Sequence, residues 1–532
     1  MNGRTEAVRI ITATLLVGLV LMGATSCKQE NTSSGITDIH TALDSLEAKL
    51  RWTDYRLAQE QWDYLTTGIS DSLKFFREAR WSLLSDEHLL NALRRAHRSA
   101  DEQISKRRIE LMLPKVAVSS IDDTRGIKQL RDSLLVACSQ DWCLIDGTRQ
   151  SIDSVNSAMI HDNSRTQREL AYRALFSVDG SSVSQFSRLF RMRNQAASRL
   201  GYRDYYSLMS SLSCGNEQDY LQLVDIIDSL TSPVYERMFD RRRNNGRSEA
   251  LELWDWWQPY EKTLREVDRF FPVDSQLYFA RRSLADIGFR LEQLPLYLNV
   301  VSDSSISHMA QTIVVRAPHD IRLAVNLTDG LQSMRRLLHA VGLALLHVEV
   351  RQDSHWFSNV DDPVWSNATG LFFERQCLQP DWLSKYAALP AELIARFGEA
   401  EEADEMLKLR LCLVDVTFEY EAYKNPNRDL NSLYWDLFTR YTMLPRHDDL
   451  APWATQVEYV TMPLGRCAQL LSRTATAQTY AYLFDNYSGV VGNKEVRSFL
   501  VQNYFRFGSR YHWRNLLERT TGEPLSFDYL VH

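Results

Sequence analysis

From about Asp38 to the end of the chain, apolar residues recur every three or four positions with few breaks, the period of helices that bury one stripe. Leu43, Leu46, Leu50 and Leu57 mark one face of a first long helix. Helix starts are signalled by short polar side chains able to accept from the first backbone N–H groups. Examples are Ser85-Asp86-Glu87, and Ser164 before Arg165-Thr166-Gln167-Arg168-Glu169. The one β pattern lies in Thr312-Ile313-Val314-Val315-Arg316 and Arg322-Leu323-Ala324-Val325-Asn326, with Pro318 in the turn between them. The prediction is a mainly α protein with a small β-hairpin or edge sheet near 310–326, helical everywhere else. No internal repeat, low-complexity block or linker follows residue 40.

Length adds that 532 residues exceed what one core usually serves, ~250–300, so two lobes are expected. A net charge of −7 spread over this length argues against a nucleic-acid partner, which shows a basic stripe. The 13 Trp and 23 Tyr suit a large helical body, and core packing accounts for most of them.

The first residues follow a different pattern. Arg4 and Arg9 precede an apolar run from Ile10 to Met22, then Gly23-Ala24-Thr25-Ser26 and Cys27. Charged, apolar and small-residue regions in this order make residues 1–26 a secretory signal peptide, too short to span a membrane comfortably. A Cys directly after the small residues resembles a bacterial lipobox, which makes Cys27 the lipidated first residue of the mature chain. The polar stretch in 27–40 reads as a flexible tether. The expected location is the bacterial cell envelope, at the outer membrane or cell surface, with the membrane held through the lipid. Of the remaining cysteines, Cys138 and Cys143 flank a segment short enough to close as a disulfide. Cys214, Cys377, Cys412 and Cys467 sit in apolar helical contexts.

Candidate chemistry is concentrated in Arg335-Arg336-Leu337-Leu338-His339-Ala340-Val341-Gly342-Leu343-Ala344-Leu345-Leu346-His347. The pattern H-E-x-x-H puts two zinc ligands and a general base on one helical face. Here the first His is His339, the Glu position is Ala340 and the second His position is Leu343. Twenty-four residues beyond Leu343 stands Asn367, within Trp365-Ser366-Asn367-Ala368-Thr369-Gly370-Leu371-Phe372-Phe373-Glu374-Arg375. This stretch resembles the third-ligand helix of the gluzincin metallopeptidases, the angiotensin-converting-enzyme-like and thimet/oligoendopeptidase-like enzymes. In that helix a Glu before a small residue completes the zinc site, and the matching position is Asn367. The segments 316–326, 189–206 and 513–526 resemble further shared elements in the family's order, so the resemblance runs from about residue 45 to the end.

The resemblance implies a two-lobed helical clamshell with a deep central groove, formed by a domain spanning 41–532. It places the degenerate metal helix at 331–351 and the third-ligand helix at 364–378. Glu458-Tyr459-Val460-Thr461-Met462-Pro463-Leu464-Gly465-Arg466-Cys467 resembles the stretch whose His and Tyr bond the oxyanion. Arg466 fits that stretch, the Tyr position reads Cys467 and no His is present. Tyr459 is a partial substitute, so Arg466 and Tyr459 are the candidate groove residues.

Zinc needs about three nitrogen or oxygen ligands at ~2.0–2.2 Å. His339 offers one, Leu343 none and Asn367 only a neutral amide oxygen. His347 lies a further ~12 Å along the helix, and Glu349 and Glu374 are displaced from the expected spacing. A positioned base is worth ~10²–10⁴ in rate, and Ala340 cannot transfer a proton. The expectation is therefore no zinc, no other cofactor and no catalytic residue. Ala340 and Leu343 would form apolar packing, His339 would donate a hydrogen bond across the two helices, with Asn367 as one acceptor, and the groove would bind a peptide or protein without cutting it. Two alternatives stand beside this. One is a working zinc-dependent peptidase, of dipeptidyl carboxypeptidase or oligopeptidase type, with ligands from elsewhere such as His308, His319 or His355. The other is a structural protein of the membrane surface.

Overall fold

The computed structural model describes residues 34–531 apart from 100–101, 140–141, 146, 179, 214–216, 245–248 and 302–309. The signal peptide, Cys27, Cys214 and His308 lie outside the described residues. The chain divides into a leading unit, Met1–Leu46, and a body, Glu47–His532. The first helix, α1 (Ser34–Thr67), begins inside the stretch expected to be tether. Among the described residues no helix is long and apolar enough to cross a membrane.

The body is mainly helical, and Asp86 and Ser164 cap helices as the sequence pattern predicts. One apolar cluster runs from Ile121 to Leu517, so the expected lobes share a core rather than owning one each. Helix α2 (Gln103–Asp122) is followed by a hairpin of β1 (Trp142–Ile145) and β2 (Thr148–Ser151), then by α3 (Gly180–Arg199). That hairpin corrects the all-helical expectation for this region. Its sequence signal is Asp146-Gly147, a dipeptide favoured in hairpin turns. Cys138 and Cys143 are not joined in a disulfide.

The second sheet holds β3 (Leu296–Val301), β4 (Ala310–Arg316) and β5 (Asp320–Asn326) in the order β3-β5-β4. β4 and β5 form the hairpin expected near 310–326, and β3 adds a parallel strand where helix is expected. Behind the sheet follow α4 (Leu331–Glu349), α5 (Pro363–Gln376), α6 (Ala391–Lys424) and α7 (Gly465–Tyr487).

Two polar arrangements fix these helices. Arg193 of α3 is 0 % exposed, and its five N–H bonds are all used. Nε and one NH₂ group donate to Asp122 on α2 at 3.0 and 2.8 Å. The rest reach the Tyr423 hydroxyl on α6 and the carbonyls of Tyr459 and Val460. The second arrangement is a ladder between α7 and α5. Ser472, Thr476 and Tyr480 donate to the carbonyls of Val364, Ala368 and Phe372 at 2.9, 3.0 and 2.7 Å. Donors and acceptors both step by four residues in the same direction, so the two helices run parallel in a fixed register.

Candidate functional site

Helix α4 starts at Gly330, whose positive φ turns the chain so that the Leu331 N–H donates to Asp268 at 2.8 Å. Helix α5 starts at Asp362, which accepts from Val364 and Trp365, with Pro363 at the first helical position. The two helices approach closely because two glycines permit it. A Cβ on Gly342 would lie 2.6 Å from the Phe373 ring, and one on Gly370 only 2.3 Å from His339 Nε2. The His339 imidazole thus sits in the space a side chain at 370 would fill.

Asn367, Gly370 and Glu374 lie on one face of α5, so the structure brings the expected third-ligand face against His339. The hydrogen bond expected across the two helices is made, but to Glu374 in place of Asn367. His339 Nδ1 is 3.0 Å from Glu374 Oε2, one turn beyond Gly370 rather than one turn before it. A carboxylate only accepts, so Nδ1 carries the proton. Metal-ligating histidines are usually held by such a carboxylate. His339 is thus held in the way a ligating imidazole is held, with Nε2 turned towards Gly370.

The neighbouring positions are less core-like than expected. Ala340 is buried, and its carbonyl accepts from Thr312 Oγ1 of β4 at 2.7 Å. Leu343 is only half-buried, and with Gln332, Arg336 and His339 it forms the open stripe of α4. The apolar patch is thus half open at Leu343 instead of sealed.

An ion-pair network continues from Glu374. Arg335 Nε and NH2 reach Glu374 Oε1 at 2.9 and 2.8 Å, and its NH1 reaches Glu401 on α6 at 3.2 Å. Glu405 on α6 pairs with Lys408 at 2.8 Å and with Arg473 of α7. Burial alone would raise the Glu374 carboxyl, but the His339 hydrogen bond and the Arg335 charge hold it below its ordinary range. Glu405 is likewise held well down against burial, by Arg473, Lys408 and Arg335. The sequence reading noted Glu374 only as out of place and missed Arg335, Glu401 and Glu405. Glu401 and Glu405 stand in the acidic run Glu399-Ala400-Glu401-Glu402-Ala403-Asp404-Glu405, which by itself reads as a solvated face.

The remaining candidates disperse. Tyr459 is 1 % exposed, with its hydroxyl 3.3 Å from Asp415, so it is a core residue and not a groove residue. Its carbonyl accepts from Arg193, so backbone and side chain are both held in the core. Arg466 is half-buried and pairs with Asp415 and Glu458 at 3.4 and 3.3 Å, and Cys467 is buried. His347 is buried, and that burial pushes it down to about 4, which leaves it neutral. Glu349 is buried against Arg497. His319 is exposed in the β4–β5 turn, and His355 bonds Asp54 at 3.0 Å. Among the described residues no group of three or more His, Cys, Asp or Glu is placed to hold a metal ion. His339, Leu343 and Asn367 together present one imidazole and one amide, a donor set that does not fit zinc.

The entry to α7 supplies a pH prediction. Leu464 adopts a left-handed conformation, and its N–H donates to both oxygens of buried Glu419, at 3.0 and 3.2 Å. Burial pushes this carboxyl up to about 7, against the pull of the Leu464 hydrogen bond. Between the ordinary value near 4.5 and about 7 the folded chain holds a proton that the unfolded chain has lost. Stability therefore falls as pH rises through that window, by an amount on the order of 3 kcal/mol for this group. Glu419→Gln keeps the acceptor and removes the titration. Urea unfolding from pH 4.5 to 7.5 should show a flatter dependence for the variant. Equal slopes would mean that Glu419 does not titrate in this range.

No family model matches the sequence, and no curated protein matches it. Solved structures do match. The M32 carboxypeptidase from Deinococcus radiodurans R1 superposes with a TM-score of 0.64 at 16% identity, covering 93% of this chain and 97% of that one. The carboxypeptidase of Pyrococcus furiosus, in its Apo-Mg form, gives 0.62 at 14% identity, covering 92% and 97%. At these identities the likeness establishes the fold. Over nearly its whole length, the chain has the mainly α fold with a small edge sheet found in these carboxypeptidases.

Proposed function

We propose that this is a peptidase-fold binding protein without metal catalysis, which holds a peptide or a protein partner along the open stripe of α4 and leaves it uncut. One observation carries the reading. At the three expected ligand positions stand one imidazole, an aliphatic side chain and a neutral amide, and the base position is Ala340. A placed base and a metal-activated water each supply large rate factors, and neither has a residue here to provide it. The N-terminal pattern supports export and a lipid anchor at Cys27, which would present this surface outside the cytoplasm.

The full chain, purified without chelator, is expected to contain far less than one zinc per molecule and to show no chelator-sensitive peptide hydrolysis. Stoichiometric zinc with chelator-sensitive cleavage would overturn the proposal. A restoration tests the alignment separately. Ala340→Glu, Leu343→His and Asn367→Glu together are expected to create zinc binding, because Glu374 already orients His339 beside the α5 face that carries position 367. No gain in zinc affinity would reject Asn367 as the third-ligand position.

A further inference from the structure

Among the described residues sixteen large apolar side chains are exposed, and five of them, Trp52, Tyr55, Tyr64, Ile69 and Phe75, fall within the 24 positions 52–75. Single exposed apolar residues are ordinary, but a local concentration of them marks a contact surface. Three of the five form one patch on the body. Trp52 and Tyr55 stand one turn apart on α1 and are 51 % and 39 % exposed. Phe75, 46 % exposed, comes from the following helix, Leu73–Leu84. The buried Phe76 ring joins them: its centroid lies 5.7 Å from that of Trp52 and 5.1 Å from that of Phe75.

The chemistry of this surface narrows what it meets. From Glu47 to Arg80 the chain carries six acidic and six basic side chains, so the region has no net charge. Arg80–Asp54, Arg56–Glu60 and Lys74–Glu78 pair within it at 2.7, 3.4 and 4.0 Å. A strongly charged partner therefore finds no complement here. The Tyr55 hydroxyl accepts from Gln59 at 2.8 Å, which leaves its O–H proton for an outside acceptor. Aromatic rings with polar tips on a neutral surface suit the membrane–water interface, where Trp and Tyr sit at headgroup level. The chain itself supplies the membrane. Only six residues, 28–33, separate Cys27 from Ser34, the first residue of the helix that carries Trp52 and Tyr55. A lipid on Cys27 keeps a bilayer at high effective concentration for every copy of the protein.

We propose that Trp52, Tyr55 and Phe75 seat on the bilayer that holds the Cys27 lipid, so that the molecule meets the membrane twice, through an acyl anchor and through an aromatic foot. Two membrane signals together hold a protein where one alone exchanges readily. This contact rests on the Cys27 anchor proposed above and not on the fate of the zinc positions.

Trp52 is its own reporter, because it is the one exposed residue among the 13 Trp. The chain purified with its lipid is placed on phosphatidylcholine vesicles, with and without phosphatidylglycerol, whose acyl chains carry bromine near the headgroup. Bromine should quench part of the parent's Trp emission, and Trp52→Phe, which keeps an aromatic ring in the patch, should lose most of that quenching. Tyr55→Ser with Phe75→Ser should reduce the quenching of Trp52 while leaving the protein on the vesicles through its lipid. Both vesicle compositions should quench alike, since the patch carries no net charge. An unquenched parent whose Cys27 is acylated by mass spectrometry would overturn the foot and leave the anchor standing. Quenching that persists in Trp52→Phe would overturn it too. An unacylated Cys27 would overturn the anchor and the foot with it. A solution dimer that Tyr55→Ser with Phe75→Ser turns into monomers would give the patch to a second copy and overturn the proposal.

Discussion

Arg193→Met is expected to lower the free energy of unfolding by about 3–5 kcal/mol, the usual cost of breaking a buried ion pair from one side. Against a typical total of ~5–15 kcal/mol, that is enough to leave a substantial unfolded fraction under mild denaturant. Methionine conserves much of the volume, so the loss is electrostatic and not a cavity effect. Removing the guanidinium leaves Asp122, itself 0 % exposed, with Arg131 alone at 3.1 Å. It also strands the Tyr459 and Val460 carbonyls, which cannot reach bulk water. Lysine does not rescue the site: its ammonium carries three donors from a single nitrogen and cannot serve a carboxylate, a hydroxyl and two carbonyls spread around a planar fork. Arg193→Lys should therefore lose most of the same stability. Urea midpoints of parent and both variants decide the matter. A loss below ~1 kcal/mol for methionine would mean that water enters and replaces the guanidinium.

Gly508→Ala is expected to cost about 3 kcal/mol or more. Gly508 has φ 52° and ψ −131°, a combination open in practice only to glycine. A Cβ there would stand 1.9 Å from the Phe357 carbonyl oxygen. That oxygen is backbone and is already fixed by the Ser509 N–H at 2.9 Å, so it cannot swing aside as a side chain would. Backbone strain and overpacking each contribute ~1–3 kcal/mol. Gly522→Ala separates the two: φ there is 82°, but nothing lies within 4 Å of its Cβ. The second variant should lose only the conformational part, ~1 kcal/mol. Equal losses at both positions would show that the Phe357 contact relaxes.

What the sequence made legible was local. The period of three and four gave a mainly helical chain, the family resemblance placed α4 and α5 within two residues of their ends, and the alternation at 312–326 placed the β4–β5 hairpin. The Asp146-Gly147 dipeptide, which favours hairpin turns, is a further signal in the sequence. Partner choice was not legible. Asn367 and Glu374 share a face of α5, and which of them His339 reaches depends on where the helices cross. Gly342 and Gly370 set that crossing, 28 residues apart in the chain. The Tyr459 carbonyl is held by Arg193, which arrives from α3. Glu401 and Glu405 join the site from another helix, where an acidic stripe reads as solvated surface until the fold buries it.

The hydroxyl ladder from Ser472 through Tyr480 has a genetic consequence. Each residue turns a helix by ~100°, so deleting one residue between Ser472 and Tyr480 swings every later rung away from α5. Substituting one rung weakens one bond, whereas a one-residue deletion dephases all the rungs beyond it. The loops on either side can change length freely, because the ladder measures phase along the helix and not distance along the chain. In this chain a one-residue deletion within 472–480 should therefore be far more damaging than one in the loops flanking α7.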